Sequence, residues 1–214
     1  MTKRLTIEVA SDVICPWCYI GKRRLEKALA MLDGELSAEI RWLPFQLNPG
    51  MPREGMPRAA YRKAKFGSVE RGRQLDARVA AEGKGEGIEF AFDRIDRTPN
   101  TVAAHALVGL AQRQDAEAAE KQGAGGAVVD ALFRAYFEQA MDIGDAAVLA
   151  EIATRCGVSG WPRQESEKEV AVLEESLRGL GISAVPTFIF GRKLGVSGAH
   201  PPDALVAAMR EAVG

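Results

Sequence analysis

Cys15 and Cys18 are separated by only two residues, Pro16 and Trp17. Disulfide exchange needs two thiols near enough to bond, one of them reachable and ionised. A two-residue spacer on the first turn of a helix meets both needs. The first cysteine then sits at the helix N-terminus, where unpaired N–H groups and the helix dipole favour a thiolate. Pro16 suits that turn because no donor is required there. The second cysteine, one turn further in and more buried, attacks the mixed disulfide and releases the partner. Cys15 is thus expected to be the nucleophile and Cys18 the resolving thiol.

Plainer readings compete. A zinc site needs two further ligands, yet only Cys156, His105 and His200 remain, none in a second close pair. No metal site is therefore expected. Inert core thiols would not explain a pair placed where a strand gives way to a helix. A reading of another class is a binding or zinc-held module in which the cysteines turn nothing over.

The elements that position the pair follow from periodicity. Leu5, Ile7 and Val9 alternate with Thr6, Glu8 and Ala10, the period of a strand that ends near Ser11-Asp12. Ile20, Leu25, Leu29 and Leu32 then recur at helical spacing, with Lys22, Arg23, Arg24 and Lys27 opposite them. Gly34 stops that helix. A second strand is expected over Ala38–Leu47, broken by Asn48-Pro49-Gly50. From Pro52 to Gly160 the sequence predicts helices and no strand pair. They are Arg58–Ala81, one capped by Asn100 or Thr98 and running to Gln114, Val128–Ala140, and one from the N-cap Asp145 to Gly157. Lys84–Gly87 and Gly123–Gly126 read as glycine-rich loops. A charged helix over Gln164–Leu180 leads to a hairpin, Thr187–Phe190 with Leu194–Ser197, and Pro201-Pro202-Asp203 opens a last helix ending at Val213.

This order, β-α-β, a helical block, then α-β-β-α, is that of an α/β thioredoxin-like fold with a large all-helical insertion. Residues 1–51 and 181–214 are expected to form the discontinuous thioredoxin-like domain and 52–180 the insertion, whose last helix could belong to either. In such a fold the proline of Val185-Pro186, opening the hairpin, is expected to be cis and to lie against the cysteines. It cannot pair fully with the next strand, which leaves the backbone of Val185 for substrate. Cis bonds are rare even before proline, so this expectation rests on position alone.

Composition narrows the class. The chain has 214 residues, 47% apolar, enough for a core without disulfides or metals. A formal charge of −1 argues for neither nucleic acid nor an anionic membrane as partner. Charged residues interrupt the N-terminal apolar run, and no stretch is long enough to span a bilayer. A cytoplasmic location is expected. Three sparse cysteines are not a disulfide scaffold.

Ser11-Asp12-Val13-Ile14-Cys15-Pro16-Trp17-Cys18-Tyr19-Ile20-Gly21 resembles the FrnE-like branch of the DsbA oxidoreductases. So do Ala184-Val185-Pro186-Thr187-Phe188, Val196-Ser197-Gly198-Ala199, Trp42–Pro49, and Asn100-Thr101 before a helix with His105. The likeness runs nearly end to end. It implies a thioredoxin fold with inserted helices, Cys15 and Cys18 as the redox centre, and Pro186 as the cis-proline. Protein or small-molecule thiols and disulfides are the implied partners, with nothing tightly bound and glutathione a candidate co-substrate. The same superfamily holds glutathione-dependent 2-hydroxychromene-2-carboxylate isomerases and kappa-class glutathione transferases, which usually carry serine at the position of Cys15. That isomerase or transferase chemistry is the runner-up. Trp17 replaces the histidine of the DsbA CPHC motif, which implies a less stabilised thiolate and a weaker oxidant. Whether the chain oxidises, reduces or isomerises disulfides, and whether it is a monomer or homodimer, stays open.

Other residues carry lesser signals. Trp17 and Trp42 could line an apolar substrate groove, with Asn100, His105 and His200 near it. His105, among Ala103, Ala104, Ala106 and Leu107, reads as a core or groove histidine ahead of a proton carrier. Cys156 shares an apolar helix face with Leu149 and Ile152 and reads as a buried core thiol. The stretch from Arg53 to Lys84 holds nine Lys or Arg against four acids. A solvated helix face is the default; the sharper alternative is an anion-attracting rim containing Arg58, Arg62 and Lys63, suited to glutathione carboxylates.

Overall fold

The first strand, β1 (Lys3–Ser11), is the centre of a computed structural model that describes residues 2–118, 123–163 and 165–214. Leu5, Ile7 and Val9 are buried on one side of the pleat, and Glu8 and Ala10 on the other. The alternation therefore leaves no wet face. A buried carboxylate needs a partner, and Glu8 has Arg192, with 2.9 Å between Oε1 and Nη2. Arg192 reaches it from a hairpin turn in which Gly191 and Arg192 have φ of 59° and 58°, the geometry that matches strand twist.

Four strands form the main sheet in the order β2-β1-β5-β6. β2 (Leu36–Pro44) runs parallel to β1, so a crossover must join them, and α1 (Pro16–Met31) supplies it. β5 (Thr187–Phe190) is antiparallel to β1, and β6 (Leu194–Ser197) to β5. The last helix, α8 (Pro202–Val213), lies beside α1 and against β1, β5 and β6.

The remaining elements stand between β2 and β5. α2 (Arg58–Phe66), α3 (Val69–Gly85), α4 (Val102–Glu117) and α5 (Ala124–Phe133) come first. A π-helical turn (Arg134–Glu138), α6 (Ala146–Arg155) and α7 (Glu165–Gly179) follow. α4, α5 and α7 contact β2. One apolar interior runs through sheet and helices together: Tyr19 of α1 stacks on Phe133 of α5 with centroids 4.9 Å apart, inside a cluster with Phe90 and Phe137. At the outer edge of the sheet, Trp42 N–H donates to Gln112 Oε1 at 2.7 Å and Trp42 O accepts from Gln112 Nε2 at 3.0 Å. A side-chain amide thus takes the place of a neighbouring strand.

Several local expectations need correction. The helix expected over Arg58–Ala81 is two helices, because Gly67 turns left-handed at φ 85° and Ser68 caps a new start by accepting from Arg71 N. The helical block does contain a strand pair, the two-residue β3 (Met56–Pro57) with β4 (Arg97–Thr98). The stretch Gly123–Gly126 is not a loose loop: Gly123 is the left-handed entry to α5, and Gly125 is helical and, lacking a Cβ, packs closely on Gln112. Lys84 and Gly85 likewise end α3 rather than form a loop. β2 starts and ends earlier than expected. Asp145 caps α6 through its carboxylate and Gly157 follows with φ 71°. Gln164, the expected start of the charged helix, lies outside the described residues.

α1 is tied to the inserted helices by charge. Lys22 is buried, and its Nζ lies 2.9 Å from Asp130 Oδ1 on α5. Arg23 and Arg134 also face Asp130. Burial alone would raise the Asp130 carboxyl, but the Lys22 hydrogen bond and the three cations bring it below its ordinary value. A depressed folded-state pKa adds stability that is complete above the unfolded-state carboxylate pKa and disappears as pH falls through the folded one. Asp130→Asn should therefore cost about 1–3 kcal/mol at pH 7, as expected when buried Lys22 loses one of its two carboxylates, the other being Glu26. Melting curves should show this loss shrinking toward acid pH; a loss that is constant with pH would refute the charge argument.

Candidate active site

Cys15 is the N-cap of α1, with Pro16 in the first turn. Its carbonyl accepts from Cys18 N at 3.0 Å and Tyr19 N at 3.3 Å, the bonds that start the helix. The two cysteines therefore stand one turn apart, the first at the positive end of the dipole. Neither is in a disulfide. Cys18 is buried, and that burial, then its hydrogen bond to Cys15, pushes its thiol well above the ordinary value. The Asp12 backbone and the Ser11 hydroxyl act in the other direction.

The Val185–Pro186 peptide is cis, and Cys15 Sγ lies 3.8 Å from the Val185 carbonyl oxygen. The β5–β6 ladder closes behind it, where Gly198 N donates to Pro186 O at 2.7 Å. Cys15 was expected to be open to solvent, but it is 4% exposed. The Val185 carbonyl lies over it, while the adjacent Trp17 is 39% exposed. Trp17 is thus exposed apolar surface next to the buried Cys15.

Four residues with no expected role hold this arrangement. Gly21, one turn past Cys18, faces Pro186: a Cβ there would stand 2.9 Å from Pro186 Cγ and 3.2 Å from Phe188 Cζ. A glycine inside a helix is unfavourable by itself, and that was the signal in the sequence for a close approach. Asp12 is fully buried and ties the turn before Cys15 to the exit of β2, its Oδ2 accepting from Leu47 N at 2.7 Å. Ser11 lies beside Cys18. Arg24, read as part of a wet face, donates to Ala199 O at 2.6 Å and binds Glu86 and Glu82, joining α1 to α3 and to the loop after β6.

The expected groove residues separate. Trp42 is buried on β2 opposite Val9, and His105 is buried with Nε2 3.4 Å from Asp12 Oδ1. Asn100 is occupied structurally: its Nδ2 donates to Met51 O and its Oδ1 accepts from Val102 N. His200 is exposed and folds onto its own turn, 2.9 Å from Ser197 O. The expected rim also fails in part. Arg62 is buried on Asp76, burial and then the neighbouring Arg58 lowering it to about 10, and Arg58 lies over the Phe92 ring. Of that trio Lys63 alone is exposed. Cys156 is half-buried, not fully enclosed, and burial raises its thiol pKa.

Among the described residues no three His, Cys, Asp or Glu side chains gather as a metal site. No helix among them is long and apolar enough to cross a membrane. A surface concavity of about 710 Å³ is lined by Lys3, Arg4, Arg41, Arg192 and Lys193. It lies at the start of β1, whereas the cysteines follow its end, so it is not where the thiols act.

The Gly21–Pro186 contact yields a test. Gly21→Ala must displace the proline, and overpacking of this kind costs roughly 1–3 kcal/mol. A lower melting temperature together with an altered rate of Cys15 modification by a disulfide reagent is expected. Wild-type values for both would show that the contact does not set the site.

Residues 6–210 match the model of the DSBA-like thioredoxin domain. A probable DsbA oxidoreductase from Streptomyces coelicolor superposes with a TM-score of 0.82 at 30% identity, covering 97% of this chain and 89% of that one. The protein YwbO of Bacillus subtilis (strain 168) is 27% identical over 212 residues, 96% of each chain. The cytosolic disulfide reductase DsbM from Pseudomonas aeruginosa, solved with GSH, shares the fold at a TM-score of 0.62 and 18% identity, covering 97% and 95%. The chain belongs to the DsbA-like thioredoxin domain family, whose members are generally disulfide oxidoreductases.

Proposed function

We propose that this chain exchanges disulfides through Cys15 and Cys18, as a member of the FrnE-like branch. The observation that carries this is the pair of thiols one turn apart at the start of α1, with the Val185 carbonyl 3.8 Å from the first. A Cys15 thiolate attacks one sulfur of a substrate disulfide, forming a mixed disulfide and releasing the other sulfur as a thiolate that takes up a proton. Cys18 then attacks Cys15 Sγ, releases the second substrate thiolate, and leaves the enzyme oxidised. A thiol such as glutathione would restore the dithiol, and DsbM, solved with GSH, makes it the first reductant to try.

Trp17 brings no cation between the cysteines, which fits a modest oxidant or a reductant in a reducing, cytoplasmic setting. In this reading residues 1–51 and 181–214 carry the chemistry, and the helical block 52–180 backs the Cys15 helix through Lys22 and Tyr19. Substrates are protein or small-molecule disulfides that meet the exposed Trp17 beside the Val185 backbone.

Equilibration in glutathione buffers, followed by Trp17 fluorescence, tests the reading. A reversible two-electron transition between about −270 and −120 mV, the span of thioredoxin-fold enzymes, is expected. Cys15→Ser should abolish dithiothreitol-coupled insulin reduction with the fold intact, and Cys18→Ser should accumulate mixed disulfides. Full activity in both variants would refute exchange. Glutathione-dependent turnover that survives in Cys18→Ser would instead favour isomerase or transferase chemistry.

A further inference from the structure

A small cavity of about 50 Å³ lies between β1, β2, α4 and α7, and Ser11, which lies beside Cys18, is part of its lining. Most of its lining is apolar, including Val13, Trp42, Val129 and Leu173. Two lining polar atoms are buried: His105 Nε2, which has no hydrogen-bond partner, and Ser11 Oγ, whose hydroxyl acts on Cys18 alone. Buried polar atoms ordinarily find partners, and a cavity of this size with such groups has room for a water molecule. His105 Nε2 lies 3.4 Å from Asp12 Oδ1 without bonding to it. At the cavity's outer end Arg113 of α4 is ion-paired with Glu169 of α7.

The resolving step places a demand on this region. Cys18 must lose its proton where burial disfavours the thiolate, and no solvent reaches it directly. We propose that His105 accepts the Cys18 proton, relayed by the Ser11 hydroxyl and water in this cavity; the proposal rests on the dithiol reading above. The Cys18 S–H bond breaks as its proton passes to Ser11 Oγ, and the Ser11 proton moves through water to His105 Nε2. The imidazolium forms beside the Asp12 carboxylate. The Cys18 thiolate forms the S–S bond to Cys15 while the bond from Cys15 to the substrate sulfur breaks, its electron pair leaving on the substrate thiolate. The dithiol is thereby oxidised by two electrons and the substrate disulfide reduced. His105 never touches sulfur; it acts through Ser11. The charged groups near it are Asp12 before α1, Arg113 of its own helix and Glu169 of α7, while Glu174 of α7 is held by Gln46 and Arg178.

The reduced full-length protein carrying Cys156→Ser, so that Cys15 and Cys18 are its two thiols, reacting with 5,5′-dithiobis(2-nitrobenzoate) separates the steps. The first thionitrobenzoate leaves when Cys15 reacts, and the second when Cys18 displaces it. His105→Gln should leave the first phase unchanged and slow the second at neutral pH roughly tenfold to a hundredfold, the range of general-base effects. The pH dependence of the second phase should also change. Ser11→Ala, which barely alters volume, should slow the second phase alone and carries the test if His105→Gln does not fold. Second phases unchanged in rate and pH profile would overturn the relay, as would a loss in His105→Gln without one in Ser11→Ala. Cys156→Ser protein that releases one thionitrobenzoate and no second would instead refute the dithiol reading itself.

Discussion

The contact between the Val185–Pro186 turn and the first two turns of α1 governs the rest of the molecule. Cys15 at the helix start meets the Val185 carbonyl, and Gly21 meets the Pro186 ring. One segment follows β1 in the chain, whereas the other precedes β5, far along the sequence. They meet only because β5 pairs with β1 in antiparallel register, Ala10 opposite Thr187. That pairing brings the start of β5 level with the end of β1, where α1 begins. The sheet is thus a ruler, and the inserted helices must be accommodated without shifting it.

The surrounding polar groups serve that geometry. Asp12 fixes the turn between β1 and α1 to the chain leaving β2, and Arg24 fixes the far side of α1 to the loop after β6. Tyr19 sits in an aromatic cluster and still donates to Glu138 Oε1 at 2.6 Å. That hydrogen bond anchors α1 to the π-helical turn, whose extra backbone residue re-aims the side chains that follow. Buried charges are costly unless paired, so each of these contacts defines one orientation of the cysteine helix.

Much of this was legible in the sequence, and the residues show why. Cys15 and Cys18 carry a spacing whose chemistry is local to one helical turn, and the β-α-β and β-β-α segments follow from period and turn residues. The break at Gly67-Ser68 was also written there, as a left-handed exit followed by a capping serine, but the charged pattern on either side concealed it. Asp12, Arg24 and Arg62 were not legible. A charged residue reads as solvated until the partner that offsets its burial is known, and those partners lie on other elements. The approach of Gly125 to Gln112, in a helix where a loop was expected, is long-range in the same way.

The Gln112 amide on Trp42 has a consequence for how the sheet meets other chains. An open parallel edge offers a row of unpaired N–H and C=O groups to any extended peptide, including another copy of the same strand. With one pair of those groups near the end of β2 already satisfied, no uninterrupted strand can be added there. The opposite margin, β6, keeps its outer groups and is only four residues long. Growth of the sheet by intermolecular pairing is therefore interrupted on one side and limited on the other.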